Sequence, residues 1–394
     1  MSVKKIVIFG AGKIGRSFIG QLFSRGGYEV VFIDIFKPVI EALNARNSYN
    51  VIIKAEKEYV LNIKNVRGVF AGDKQKVVDE IATAGIVAVS IGQNGLPAIM
   101  PLIAKALINK FEQNNALALD IIIAENLRNA SEYFEHELTG LLPAYYPFNQ
   151  LVGLVETSIG KMVPIMLNKD IEEDILQVFA EPYNTLILDK KAFKNPIPNI
   201  EGLAPKNNMK AWVDRKLFIH NLGHATAAYL GYLKNPKFIY MHQALAVTEV
   251  YSTTRETMLQ AAEILLLKYP DEFTLIDLTE HIDDLLTRFQ NVALGDTVYR
   301  VGCDLMRKLG PDDRLAGAIT QAIELNLPYD RVLQALISGC LFRADDENGN
   351  RLPDDIKFTD IYKKGFSEVF KKVCGFEENT INHLIKFIQP ALNK

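Results

Sequence analysis

Lys216, Asn221 and His224 stand at spacings of five and three within RKLFIHNLGH, residues 215–224. If this stretch is a helix, Asn221 and His224 are i,i+3 neighbours and Lys216 lies about two turns from His224. An amine, a carboxamide and an imidazole in one place suit removing a proton from an alcohol while holding its oxygen. The same triple also fits an ordinary amphipathic helix with a solvated lysine and a hydrogen-bonded core histidine. His220 and His224 are i,i+4, as in a metal pair. The zincin pattern, however, needs Glu directly after the first histidine, where this chain has Asn221. No metal site is expected.

A second constellation opens the chain. Residues 5–9, KIVIF, read as a strand; Gly10-Ala11-Gly12-Lys13-Ile14-Gly15 follows at once; a helical pattern runs on through Leu22, and VVFID ends at Asp34. Gly10 allows a tight turn, Gly12 lets the backbone approach a pyrophosphate, and Gly15 lets the helix pack on the strand. The helix start offers free N–H groups to phosphate. Asp34 falls where a carboxylate binds the ribose hydroxyls, and it would repel a 2′-phosphate. NAD is therefore the expected cofactor, with Lys37 the one nearby cation that leaves NADP open.

Strand candidates at 51–53, 59–63, 86–91 and 117–124, with helical patterns at 75–83, 97–114 and 127–139, predict a doubly wound, mostly parallel sheet. Ligands of such sheets bind at the carboxyl ends of the strands. Gly92-Gln93-Asn94-Gly95 follows one such end, as a plain turn or as a loop along the cofactor with Gln93 in contact. Asn126 follows another, as a helix N-cap or as an oxygen-binding donor. Residues 152–188 supply the last strands, and the Pro- and Lys-rich stretch 190–206 reads as a linker.

From about 207 the pattern is helical almost throughout, with helices expected at 207–231, 237–268, 274–287, 297–308, 312–325, 328–342, 358–374 and 378–392. The fold class is thus α/β: a Rossmann-type doubly wound sheet over residues 1–190, then an all-α domain over 191–394. Arg300 and Lys308, eight residues apart, are either a solvated helix face or donors for a polyhydroxylated or phosphorylated substrate.

At 394 residues the chain can build two such domains. A net charge of -3 gives no electrostatic case for nucleic acid or an anionic membrane. No apolar run is long enough for a membrane span. Three cysteines without metal-ligand spacing favour a reducing cytoplasm over a disulfide framework.

FGAGKIGRSFIG at 9–20, AENL at 124–127, FKNPIPNIEGL at 193–203, RKLFIHNLGHATAAYLG at 215–231, RKLGPDDRL at 307–315 and LFRADD at 341–346 carry a resemblance. Through them the chain resembles the polyol-specific long-chain dehydrogenases, the mannitol dehydrogenase family, over nearly its whole length. The resemblance implies NAD-dependent hydride transfer between mannitol 1-phosphate and fructose 6-phosphate. Mannitol 2-dehydrogenase or hexuronate reductase activity is the alternative within the family. It makes Lys216 the general acid/base, places Asn126 and Asn221 on the substrate oxygen, and puts His224, Arg300 and Lys308 among the substrate-binding residues. It implies no catalytic metal and, with no heptad seam in the sequence, a monomer. One stretch departs: where the family has Asp and Arg, this chain has Gly160 and Lys161.

Overall fold

The structure is a computed structural model that describes residues 4–127 and 129–392. The chain falls into two compact units, 1–212 and 213–394.

In the first unit, short apolar runs become strands buried on both faces. They are β1 (Lys5–Phe9), β2 (Glu29–Asp34), β5 (Val66–Phe70), β6 (Ile86–Val89), β7 (Leu119–Ile123) and β8 (Val152–Ser158). All neighbours among them pair in parallel, in the order β8-β7-β6-β1-β2-β5. Counted along the chain, this is the 3-2-1-4-5-6 arrangement of a doubly wound dinucleotide fold. Alternate residues go to opposite faces, as the strand period demands. Val7, Phe9, Val31 and Ile33 pack under helices α3 (Lys74–Ala82), α4 (Leu96–Gln113) and α5 (Ala130–Leu141). Ile6, Ile8, Val30 and Phe32 pack with Phe18, Ile19 and Leu22, which precede or open α1 (Gln21–Arg25). Each such buried apolar side chain contributes roughly 1.5–3 kcal/mol. Helix α2 (Lys37–Arg46) follows β2.

Three differences from the expected layout have physical causes. The candidates at 51–53 and 59–63 lie outside the main sheet. They belong to β3 (Ser48–Ile53) and β4 (Tyr59–Lys64), an antiparallel pair, and β9 (Val178–Ala180) joins β3 to complete a separate three-stranded sheet. The strand that does extend the main sheet is β5, VRGVF, whose arginine and glycine hide its character. Arg67 sits near the sheet edge, reaching Glu29 at 2.6 Å and Glu80 at 2.6 and 2.8 Å. The stretch 190–206 is no free linker. It ends in β11 (Leu203–Lys206), which pairs in parallel with β10 (Leu186–Asp189), and β10 runs antiparallel to β8. Pro205 is tolerated there because β11 is an edge strand.

The same stretch is fastened from below by Asp120, a carboxylate wholly buried in β7. It accepts from the backbone N–H groups of Lys194 (2.7 Å) and Asn195 (3.1 Å) and from the Asn195 side chain (2.9 Å). Burial pushes its pKa up, and these three donors hold the charge in place.

The second unit is helical, and its one β-bridge among the described residues joins Tyr240 to Thr297. A π-helical turn, Lys216–Asn221, runs into α6 (Leu222–Lys234), which packs against α7 (Thr248–Lys268), α9 (Val298–Gly302) and α12 (Asp330–Cys340). Helices α8 (Leu275–Phe289), α10 (Leu305–Lys308) and α11 (Ala316–Glu324) complete the part that matters here. The helix expected over 237–268 is interrupted, with Met241–Leu245 a separate turn before α7. That expected over 297–308 is cut between α9 and α10. There Asp304 takes φ 71°, and the Asp355 carboxylate accepts from the Asp304 and Leu305 N–H groups at 2.9 and 2.6 Å. The helix expected over 358–374 is split as well, into Pro353–Tyr362 and Phe366–Lys372.

Candidate active site

The first unit carries a candidate site made largely of backbone. Gly10 has φ +97°, a left-handed conformation that a side chain disfavours, and a Cβ there would strike the Ser90 carbonyl. A Cβ on Gly15 would overlap the Gly10 carbonyl oxygen, so the helix can begin this close to the turn only without one. Gly12 differs: nothing lies within 4 Å of where its Cβ would be, and it is exposed together with Lys13 at the helix start. That open backbone fits a pyrophosphate. Ala11 and Ile14 fill the positions between, Ala11 buried and Ile14 half-buried.

Asp34 closes this loop. One carboxylate oxygen accepts from Ala11 N–H (2.8 Å) and the other from Phe36 N–H (2.8 Å). Ile35 and Phe36 beside it are exposed. Lys37 turns over the Phe70 ring, 4.7 Å from its centroid. These contacts fit a dinucleotide whose ribose hydroxyls meet Asp34.

Two further strand ends come together. Glu125 accepts from the backbone of Ile91 (2.6 Å) and Gly92 (2.9 Å), and Gln93 donates to the Asn126 carbonyl at 2.9 Å. Gln93 and Asn126, read separately from the sequence, thus belong to one cross-linked rim, while Glu125, the residue that ties it, was not singled out. Its pKa is raised by burial and pulled back by the two N–H donors.

Arg16 was also missed. Its buried guanidinium donates to the Ala11 carbonyl (2.6 Å) and to the carbonyls of Ile175 and Leu176 (3.1 and 2.7 Å), bracing the glycine loop from behind. Lys161, at the departure from the family pattern, points inward. Its ammonium donates to the Glu181 and Tyr183 carbonyls at 3.1 and 2.6 Å and to the Asn184 side chain at 3.2 Å.

The second unit carries a candidate site of its own, made of side chains. In a uniform α-helix a spacing of five puts two residues about 140° apart around the axis. The π-helical turn Lys216–Asn221 changes this, because its i→i+5 register brings Lys216 and Asn221 towards one side. Such turns recur at functional sites. Burial lowers the Lys216 pKa to about 8, with the Arg314 guanidinium as the second cause. Arg314 donates to the Asn221 carbonyl (3.3 Å) and pairs with Asp313 at 2.8 Å. Its motif, RKLGPDDRL, does not by itself mark it for this role.

His224 lies flat on Phe289, with centroids 4.4 Å apart and planes 8° apart, and His220 meets the same ring edge-on at 5.5 Å. Both histidines are held well below their usual pKa, first by burial. For His224 the cations Arg300, Lys308, Arg314 and Arg288 add to it. Among the described residues no group of three or more His, Cys, Asp or Glu stands ready to hold a metal ion.

Arg300 and Lys308 sit on different helices, α9 and α10, not on one solvated face. The Arg300 guanidinium pairs with Asp296. Lys308 is buried and folds back to donate to the Val301 carbonyl at 2.8 Å; burial and Arg314 lower its pKa to about 8.

The strand order, the glycine loop and the acid at the end of β2 define a Rossmann-type dinucleotide-binding protein with an appended helical unit. The mannitol dehydrogenase Rossmann domain matches residues 4–202, and the mannitol dehydrogenase C-terminal domain matches residues 208–382. The chain belongs to the mannitol dehydrogenase family. It is 35% identical over 386 residues to a mannitol-1-phosphate 5-dehydrogenase of Lactococcus lactis subsp. cremoris (strain MG1363), covering 96% of each chain. With the enzyme of the same name from strain SK11 it shares 34% over 353 residues, 89% of each. Among solved structures, a D-sorbitol dehydrogenase in substrate-free form shares the fold, with TM-score 0.82 and 18% identity over 100% of this chain and 94% of that one. So does a Pseudomonas fluorescens mannitol 2-dehydrogenase in complex with NAD and D-mannitol, with TM-score 0.72 and 17% identity over 98% and 94%.

Proposed function

We propose that this chain is an NAD-dependent oxidoreductase that interconverts mannitol 1-phosphate and fructose 6-phosphate, with Lys216 as the acid/base. The observation that carries the chemistry is the Lys216 amine. A free lysine, with a pKa of about 10.4, is almost wholly charged at neutral pH and a poor base. Held at about 8 by burial and Arg314, Lys216 is partly neutral under the same conditions. The identity of 35% over 96% of the chain to a mannitol-1-phosphate 5-dehydrogenase supports the substrate.

NAD, when bound, supplies the hydride acceptor. Gly10, Ala11, Gly12, Lys13, Ile14 and Gly15 form the phosphate cradle, Asp34 takes the ribose, and Gln93 borders the cofactor. Lys216 takes the hydroxyl proton as the alcohol is oxidised and returns it as the ketose is reduced. Asn221, one π-turn away, donates to the oxygen as negative charge develops there. In the first unit Asn126 keeps the oxygen-donor role that family membership suggests. Arg300, Lys308 and Arg314 gather around His224 with Asp296 and Asp313 as counter-charges. Such a site suits an anionic substrate such as a sugar phosphate.

The test is NADH consumption, followed by absorbance, with fructose 6-phosphate, fructose and tagaturonate in parallel. Turnover confined to fructose 6-phosphate is expected. Turnover with fructose or tagaturonate in its place would assign another member of the family's activities and make Gly160 and Lys161 the place to look.

A further inference from the structure

We propose that Asp296 is a positioning residue: its buried carboxylate holds the Arg300 guanidinium and the Nε2 edge of His224, fixing one imidazole tautomer and one guanidinium placement for the substrate. Asp296 lies in the loop before α9 and is 5% exposed. One carboxylate oxygen pairs with Arg300, four residues on. The other lies 3.5 Å from His224 Nε2, at the long limit of a hydrogen bond. Beyond these two neighbours, neither Asp296 oxygen nor His224 Nε2 has a hydrogen-bond partner among the described residues. Buried polar atoms are rarely left so, and contacts of this kind tighten when a ligand closes the site.

The backbone around Asp296 is held on both sides. Its carbonyl accepts from Met241 N–H (2.9 Å), Val298 N–H donates to the Ile239 carbonyl (2.8 Å), and the Tyr240–Thr297 bridge lies between. Thr297 then caps α9, its hydroxyl accepting from Arg300 N–H at 3.1 Å. This bridge in an otherwise helical unit sets the carboxylate where both partners can reach it. Phe289 fixes the plane of the His224 ring but leaves open which nitrogen carries the proton. A carboxylate at Nε2 settles that choice: Nε2–H donates to Asp296, and Nδ1 keeps its lone pair to accept from a substrate hydroxyl.

The substrate half of this inference rests on the proposed function; the tautomer half does not, and the experiment separates them. Nitrogen-15 NMR of the full chain without ligand, with His224→Gln used to assign the signal, should show His224 protonated at Nε2 in the wild type. Asp296→Asn keeps the shape and loses the charge, and it should give a mixed or reversed tautomer with the thermal midpoint monitored alongside. A wild-type His224 protonated at Nδ1, or a tautomer unmoved in Asp296→Asn, would overturn the proposal. If Asp296→Asn does not fold, the wild-type tautomer alone decides. In kinetics, Asp296→Asn should lower kcat/KM for the polyol about 10- to 100-fold, the scale of one charge-assisted hydrogen bond, with KM for NAD unchanged. An equal loss in NAD binding would mark Asp296 as merely structural. The expected tautomer without turnover of fructose 6-phosphate would leave Asp296 in its role and sink the substrate reading.

Discussion

In the proposed function, the glycine loop and the cation cluster around His224 hold an anion in opposite ways. The loop does it with backbone. Gly10, Gly12 and Gly15 remove side chains so that N–H groups at a helix start can be approached, and Asp34 ties the turn shut through Ala11 N–H. The cluster would do it with side chains from α9, α10 and the residues before α11, Lys308 and Arg314 buried and Arg300 half exposed, each braced by a neighbour. Arg300 is held by Asp296, Lys308 by the Val301 carbonyl and Arg314 by Asp313. A backbone site should fail all at once when a Cβ is added. A side-chain site should fail piecemeal, one chemical role at a time.

The largest single effect belongs to the second region. Lys216→Ala should lower kcat about 100- to 10,000-fold, the range of general acid–base catalysis, with NADH binding by fluorescence unchanged. Near-normal turnover would remove Lys216 from the chemistry. In the first region, Gly15→Ala should abolish NADH binding and destabilise the chain by about 1–3 kcal/mol, because its Cβ would overlap the Gly10 carbonyl. Calorimetric titration and a thermal melt read both losses. Asp34→Ser should be milder, raising KM for NADH on the order of tenfold and admitting NADPH, since the carboxylate proposed to meet the ribose and repel a 2′-phosphate is gone. Smallest and most specific is Arg314→Gln. Without that cation the Lys216 ammonium is easier to keep, so the rise in oxidation rate with pH should move to higher pH.

The two regions also differ in how far the sequence discloses them. At Gly10 a residue type stands for a backbone angle, so strand, turn, helix and acid could be read in order and the parallel sheet inferred from them. Side-chain sites carry no such mark. The spacing of five between Lys216 and Asn221 suggests one helix side only if the helix is π-helical there, and nothing in KLFIHN announces the extra residue in the turn. Asp296 looks like a loop acid before a helix cap, and its burial comes from a bridge to residues some fifty-five positions earlier. Arg314 sits in a motif that stands out without saying why. Strand β5 was hidden by Arg67, which is at home only because the sheet edge puts Glu29 and Glu80 within reach. The stretch at 190–206 looks free in sequence because Asp120 holds it chiefly through backbone N–H groups, which carry no signature there.

The central claim is that Lys216 acts as a base because burial and Arg314 bring its pKa to about 8. The most direct test is the pH dependence of kcat/KM for NAD-dependent oxidation of mannitol 1-phosphate. Oxidation needs the neutral amine, so the rate should climb about tenfold per pH unit below that pKa and level off above about 8, while fructose 6-phosphate reduction, which needs the ammonium, falls through the same range. A profile flat from pH 6 to 10 (roughly the span over which a perturbed lysine titrates), or one that Arg314→Gln leaves in place, would contradict it.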